Sequence, residues 1–135
     1  MIKTPTWYVF HMYKAHQDAA LLESTVSTDE VCFEDSPKIK AITSSASHKD
    51  NVYTITLTNA DLESKRNVKI LLQGINGKIK KASAVYLTGE KMNTANTFDS
   101  PNQVVEKSMD VKICGNEEIE VELPNMSVVQ VTVEI

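Results

Sequence analysis

Three kinds of side chain in this sequence could do chemistry: closely spaced glutamates, histidines near the front, and two cysteines. Glu118, Glu120 and Glu122 alternate with Ile119, Val121 and Leu123. On a strand, three such carboxylates share one face about 7 Å apart, within the range that the acid–base pairs of glycosidases use. The same alternation makes that face the wet side of an amphipathic strand, where glutamates ordinarily lie, and this reading is the stronger. His11 and His16 are five residues apart on a helical stretch, which points them to different faces, and His48 stands alone. They read as packing or surface residues. Cys32 and Cys114 fit no CxxC or Cys/His cluster and read as two buried thiols. Whether they pair is not legible from spacing. Gly74, Gly77, Gly89 and Gly115 are scattered, so no phosphate-cradling loop forms, and no GxSxG elbow is present. The expectation is no catalytic, substrate-binding or metal-ligating residue and no cofactor.

The elements that would position these side chains fall into two unlike parts. Residues 4–17 read TPTWYVFHMYKAHQ. Thr4 suits an N-cap and Pro5 the first helical position, where a missing N–H costs nothing. On a helix, Tyr8, Val9, Met12, Tyr13, Ala15 and His16 form one broad face. Trp7 and Phe10 fall on the other side, among His11, Lys14 and Gln17. The stretch holds four of the eight aromatic residues, so it is apolar beyond the single stripe a surface helix needs. It requires partners on two sides. From residue 18 to 135 the period is two. Tyr53, Ile55 and Leu57 alternate with threonines; Val68, Ile70 and Leu72 form another inner stripe. Met109, Val111 and Ile113 form a third, and Val129, Val131, Val133 and Ile135 a fourth. Residues 39–47 and 79–87 are longer, weaker versions. Asn76-Gly77 is a hairpin signal, 59–64 and Gly115-Asn116 read as turns, and Pro124 interrupts the last two strands. The fold class is all-β: a jelly-roll-like β-sandwich of about 7–8 antiparallel strands, preceded by one N-terminal α-helix.

Charge narrows the partners. The net charge of −4 over 135 residues lacks the basic stripe of a nucleic-acid groove. No run of about 18 apolar residues is long enough to span a membrane. Met1 is not followed by the basic-then-apolar pattern of a signal peptide, and nothing assigns a compartment. Asn125-Met126-Ser127 matches a glycosylation sequon but abuts a core strand and reads as coincidence. Sugar binding would need exposed rings. The sandwich part has only Phe33, Tyr53, Tyr86 and Phe98; the two tyrosines read as core, which leaves Phe98, in the polar loop 91–103, as the one platform.

Four stretches carry a family likeness. TPTWYVFHMYKAHQDA resembles the segment that closes the catalytic barrel of α-L-arabinofuranosidases of glycoside hydrolase family 51. NVYTITLTNADLESKRNVKILLQG resembles the central strands of that family's C-terminal domain, MNTANTFDSPNQV a late loop, and ELPNMSVVQVTVEI its closing strand. They occur in the family's order and span nearly the whole chain. The resemblance implies a longer parent: a (β/α)8 barrel that removes terminal α-L-arabinofuranosyl groups from arabinan or arabinoxylan. It would use two glutamates in a retaining mechanism, with a jelly-roll sandwich beside the barrel. It also implies that the parent is a homo-oligomer. Residues 1–17 would then be the last barrel helix and 18–135 the sandwich. The stretches matching the catalytic glutamates are absent, so no catalytic role transfers to any residue, Glu90 and Glu106 included. The expected function is that of a non-catalytic domain supporting the barrel; the alternative is a binding module for arabinose-containing polysaccharide. A helix parted from its barrel should leave Trp7, Tyr8, Val9 or Phe10 exposed and drive self-association.

Overall fold

A computed structural model describes residues 2–32, 34–91 and 93–135. Phe33, one of the four sandwich aromatics, and Met92, in the polar loop, lie outside them. Helix α1 spans Pro5–Tyr13 and continues as a 3₁₀ turn over Lys14–His16. Its start follows the sequence: Thr4 caps it, the Trp7 backbone N–H donating to Thr4 Oγ1 at 3.1 Å. The regular helix is shorter than 4–17 because the chain tightens at Lys14 and turns at Asp18, whose φ is 60°.

Eleven strands follow: β1 Ala20–Leu22, β2 Glu30–Val31, β3 Ile39–Lys40, β4 Ile42–Lys49, β5 Val52–Asn59, β6 Arg66–Leu71, β7 Lys81–Thr88, β8 Lys107–Met109, β9 Lys112–Ile113, β10 Glu118–Leu123 and β11 Ser127–Glu134. They form a six-stranded sheet ordered β1-β4-β5-β11-β7-β8 and a three-stranded sheet ordered β6-β10-β9. A small β2-β3 ribbon stands apart. Every pairing is antiparallel. The expected all-β sandwich behind one helix is the observed fold. The larger strand number comes from short pieces. The stripe expected through 109–113 breaks after Met109, where the chain leaves the large sheet for the small one. The stripe expected through 39–47 breaks at Ala41, which is fully enclosed and bonds through its backbone to Asp29 and Ala60.

The core lies between the sheets. Val129, Val131 and Val133 from β11 face Ile119, Val121 and Leu123 from β10, and none of the six is more than 2% exposed. The outer face of the large sheet receives α1: Met12 packs on Leu87 and Val104, with Tyr8 and Val9 beside it. The molecule is therefore three layers, helix on large sheet on small sheet.

One turn behaves differently from its sequence signal. Asn76-Gly77 joins no hairpin, because β6 belongs to the small sheet and β7 to the large one. Turn chemistry fixes that the chain reverses; burial decides which sheet it then joins. Gly77 adopts φ 127°, and a Cβ there would lie 3.0 Å from Ile135 Cγ2, so both backbone and space require glycine. Gly115-Asn116, by contrast, does close a hairpin between β9 and β10.

Candidate functional site

The glutamates of β10 all point away from the core. The Asn67 side-chain amide donates to Glu120, and Lys65 stands 3.3 Å from Glu122. None of the three lines either cavity described here. They are the solvated face of an amphipathic strand.

The histidines serve packing, each in its own way. His11 lies on the exposed side of α1, stacked on Trp7 at 5.1 Å and 3.8 Å from Glu106. His48 stacks on Tyr53, its cross-strand neighbour, at 5.4 Å. His16 is held against the outer face of the large sheet between two hydroxyls, with Nδ1 2.6 Å from Ser47 Oγ and Nε2 3.0 Å from Thr56 Oγ1. Thr56 donates its hydroxyl proton to the Ser45 carbonyl at 3.3 Å. Its oxygen therefore accepts from His16 Nε2–H, and Nδ1 of the neutral ring accepts from Ser47. Burial lowers the pKa of this imidazole from its ordinary value. Ser47 and Thr56 are polar side chains enclosed on a sheet face, and the histidine satisfies both.

Both cysteines are exposed and free. The expectation of buried thiols is corrected. Cys32 lies beside the β2-β3 ribbon, off the core, and its Sγ is 3.3 Å from the Ser36 carbonyl oxygen. Cys114 lies in the β9–β10 turn. Both positions sit at margins that the small sheet does not cover. Among the described residues no group of His, Cys, Asp or Glu is placed to hold a metal ion.

Phe98 is the ring expected to be free, and it is 92% exposed. Tyr53 and Tyr86 are half-buried against the core, as expected of them. The loop bearing Phe98 is anchored by Asn96. Asn96 takes the Val104 N–H and returns its own N–H to the Val104 carbonyl, both at 2.7 Å, and it also donates to the Lys3 carbonyl at 2.8 Å. The loop is thereby tied to the start of α1. The Asn125 side-chain amide of the sequon donates to the Leu62 carbonyl at 2.8 Å.

Two surfaces remain. The first is the outer side of α1, where Trp7 is 40%, Phe10 74% and Tyr13 37% exposed, with Lys3 Nζ 4.3 Å above the Trp7 ring. The sequence reading placed Trp7 and Phe10 on this side, and the structure agrees. It differs for Tyr8 and Val9, which turn half-buried toward the sandwich, and for Tyr13, which does not.

The second surface was not anticipated. A cleft of about 1590 Å³ opens between the sheets at the β4–β5 side. Ile42, Ala46, Ile55 and Leu57 line one wall, β6 another, and the 22–29 segment a third. Arg66 closes one end as a double clamp: it bonds Asp29 in that segment and Asp61 in the β5–β6 turn, the latter at 2.7 Å. The Arg66 hydrogen bond lowers the pKa of Asp29. That of Asp61 is lowered first by the Glu63 backbone N–H and then by Arg66. The sequence did hold a signal. Arg66 occupies the inward stripe of Val68 and Ile70, and a charge there needs a partner.

The comparisons with known proteins follow this geometry closely. The family described as alpha-L-arabinofuranosidase C-terminal domain matches residues 1–127. An intracellular exo-alpha-L-arabinofuranosidase of Bacteroides ovatus is 36% identical over 131 residues, which are 96% of this chain and 25% of that protein. The crystal structure of a family 51 arabinofuranosidase from Xanthomonas axonopodis pv. citri superposes with a TM-score of 0.90 at 29% identity, over 99% of this chain and 27% of that one. A family 51 α-L-arabinofuranosidase from Bifidobacterium longum shares the fold with a TM-score of 0.81 at 18% identity, over 98% of this chain and 26% of that one. The chain thus spans about a quarter of the length of the proteins it matches.

Proposed function

This chain belongs to the α-L-arabinofuranosidase C-terminal domain family, and on that premise we propose that it is the non-catalytic sandwich of a longer α-L-arabinofuranosidase. Residues 1–17 are the last helix of that protein's (β/α)8 barrel, and residues 18–135 buttress the barrel. Cleavage of terminal α-L-arabinofuranosyl groups in arabinan or arabinoxylan is the work of two glutamates on the barrel, outside this chain. The observation that carries the reading is the two-sidedness of α1. One side is used by Met12 against the large sheet, while Trp7, Phe10 and Tyr13 stand outward. A helix that keeps three rings in water has an apolar neighbour to cover them.

The test is turnover of an aryl α-L-arabinofuranoside by the 135-residue chain. Release of the aryl group is expected to stay at the blank rate; measurable hydrolysis would overturn the proposal. Sedimentation tests the helix face in the same sample. Self-association through α1 is expected, and Phe10→Lys should return the chain to monomer. A wild-type monomer at high concentration would remove the argument from exposed rings.

A further inference from the structure

The two sheets do not match in width. Six strands face three, and the uncovered width is the cleft over β4 and β5. Burial falls off toward it. On β10 the inward residues Ile119, Val121 and Leu123 are no more than 2% exposed, whereas Val68 and Ile70 on β6 are only half-buried. The hydrogen-bond phase of β6 can be read from its register. The Leu72 N–H donates to the Glu117 carbonyl, so residues 66, 68, 70 and 72 direct their backbone groups at β10. Asn67, Lys69 and Leu71 direct theirs at the open edge, where no strand pairs with them. Two enclosed nitrogens among the described residues lack a partner, His48 Nδ1 and Arg66 Nε, and both belong to side chains lining this cleft. From the Ile42 end to His48 the cleft floor is six residues long, about 20 Å of strand.

We propose that the cleft is an acceptor for one more β-strand, supplied by the remainder of the longer protein. The strand adds to the open edge of β6 through the backbone of Asn67, Lys69 and Leu71. It sets alternate apolar side chains on Ile55 and Leu57, and brings backbone or polar groups to Arg66 Nε and His48 Nδ1. An extended peptide fits better than a compact ligand, because the free groups form a row at strand spacing along one edge while the floor is aliphatic. The inference rests on the reading that this chain is part of a longer protein.

Amide hydrogen exchange compares this chain with the intact parent. In the chain alone, the amides of Asn67, Lys69 and Leu71 should exchange rapidly. In the parent they should slow on the order of tenfold or more, as paired strand amides do. Equal exchange in both would overturn the inference. The α1 amides and Trp7 fluorescence, read in the same samples, report separately on the helix–barrel contact. If they become protected while β6 does not, the proposed function stands and the strand acceptor falls. A second variant guards against misreading. Lys69→Pro removes an N–H that this chain leaves unbonded, so it should be tolerated here and should destabilise the parent. Tolerance in both, or exchange protection that appears in this chain only as its concentration rises, refutes a donated strand; the latter would point to a second copy as occupant.

Discussion

The middle of the sandwich and its β4–β6 margin are written in the same alternating pattern, yet only the middle is closed. Where β11 lies over β10, valine, isoleucine and leucine are sealed from water. At the margin the inner wall of β4 and β5 is just as aliphatic, with Ile42, Ala46, Ile55 and Leu57, but its opposite wall ends at β6. Alternation therefore specifies which face turns inward and says nothing of whether a second layer will cover it. Closure depends on the number of strands in the opposing sheet, a global property. The margin is instead pinned by polar contacts: Arg66 to Asp29 and Asp61, and Ser24 Oγ to Ser44 Oγ at 2.5 Å.

Paired truncations would break this contrast or sharpen it. Leu123→Ala in the closed middle should cost about 2–5 kcal/mol, since it opens a cavity in a site with no exposed surface. Val68→Ala at the margin should cost about 1 kcal/mol, because part of that side chain already meets water. Urea denaturation measures both, and equal losses would mean that the margin closes in solution. An intermediate effect belongs to Asn59, which is 2% exposed and links the two regions. Its side-chain amide donates to the Ser64 and Pro124 carbonyls at 3.1 and 3.0 Å, and its oxygen accepts the Asp61 N–H at 3.1 Å. Asn59→Ala leaves these groups without partners at a cost of about 2 kcal/mol. A loss confined to a few tenths would show that water replaces the amide there.

The contrast also marks what the sequence made legible. The long strands β5, β10 and β11, the cap at Thr4 and the surplus apolar side of α1 all follow from local pattern, because a single burial rule governs each. The short strands β1 and β2 were not anticipated. Two or three residues such as Ala20–Leu22 hold no period, and they become strands only because β4 offers its edge to one and β3 to the other. The exposed cysteines were misread for a related reason: a thiol's burial depends on whether its segment lies under the second sheet, and Cys32 and Cys114 do not. The cleft was invisible because it is a missing layer, and only Arg66 on an inward stripe hinted that the apolar surface ended there. The catalytic reading of Glu118, Glu120 and Glu122 was weighed correctly against solvation, since β10 needs a wet side whatever the chain does.

The smallest expected effect concerns the other side of the large sheet, where the 3₁₀ turn docks. His16 satisfies Ser47 and Thr56 as a neutral ring, and burial holds its pKa below the ordinary 6.5. At pH values between the lowered folded pKa and 6.5, the unfolded chain binds more protons than the folded one, so stability rises with pH across that window. Above 6.5 the contribution is fully present; it is lost as the pH falls toward the folded value. Asp29 and Asp61, also lowered, act in the same direction but only in the carboxylate range, so the two contributions separate along the pH axis. His16→Gln keeps a donor and an acceptor and cannot charge. Thermal midpoints of the wild type should decline modestly on acidification just below 6.5, while the variant should stay level until the carboxylates titrate. If the two decline alike, the imidazole is not the group that senses this range. The docking of the helix on the large sheet would then owe its strength to Met12 and its aliphatic neighbours alone, as the middle of the sandwich does.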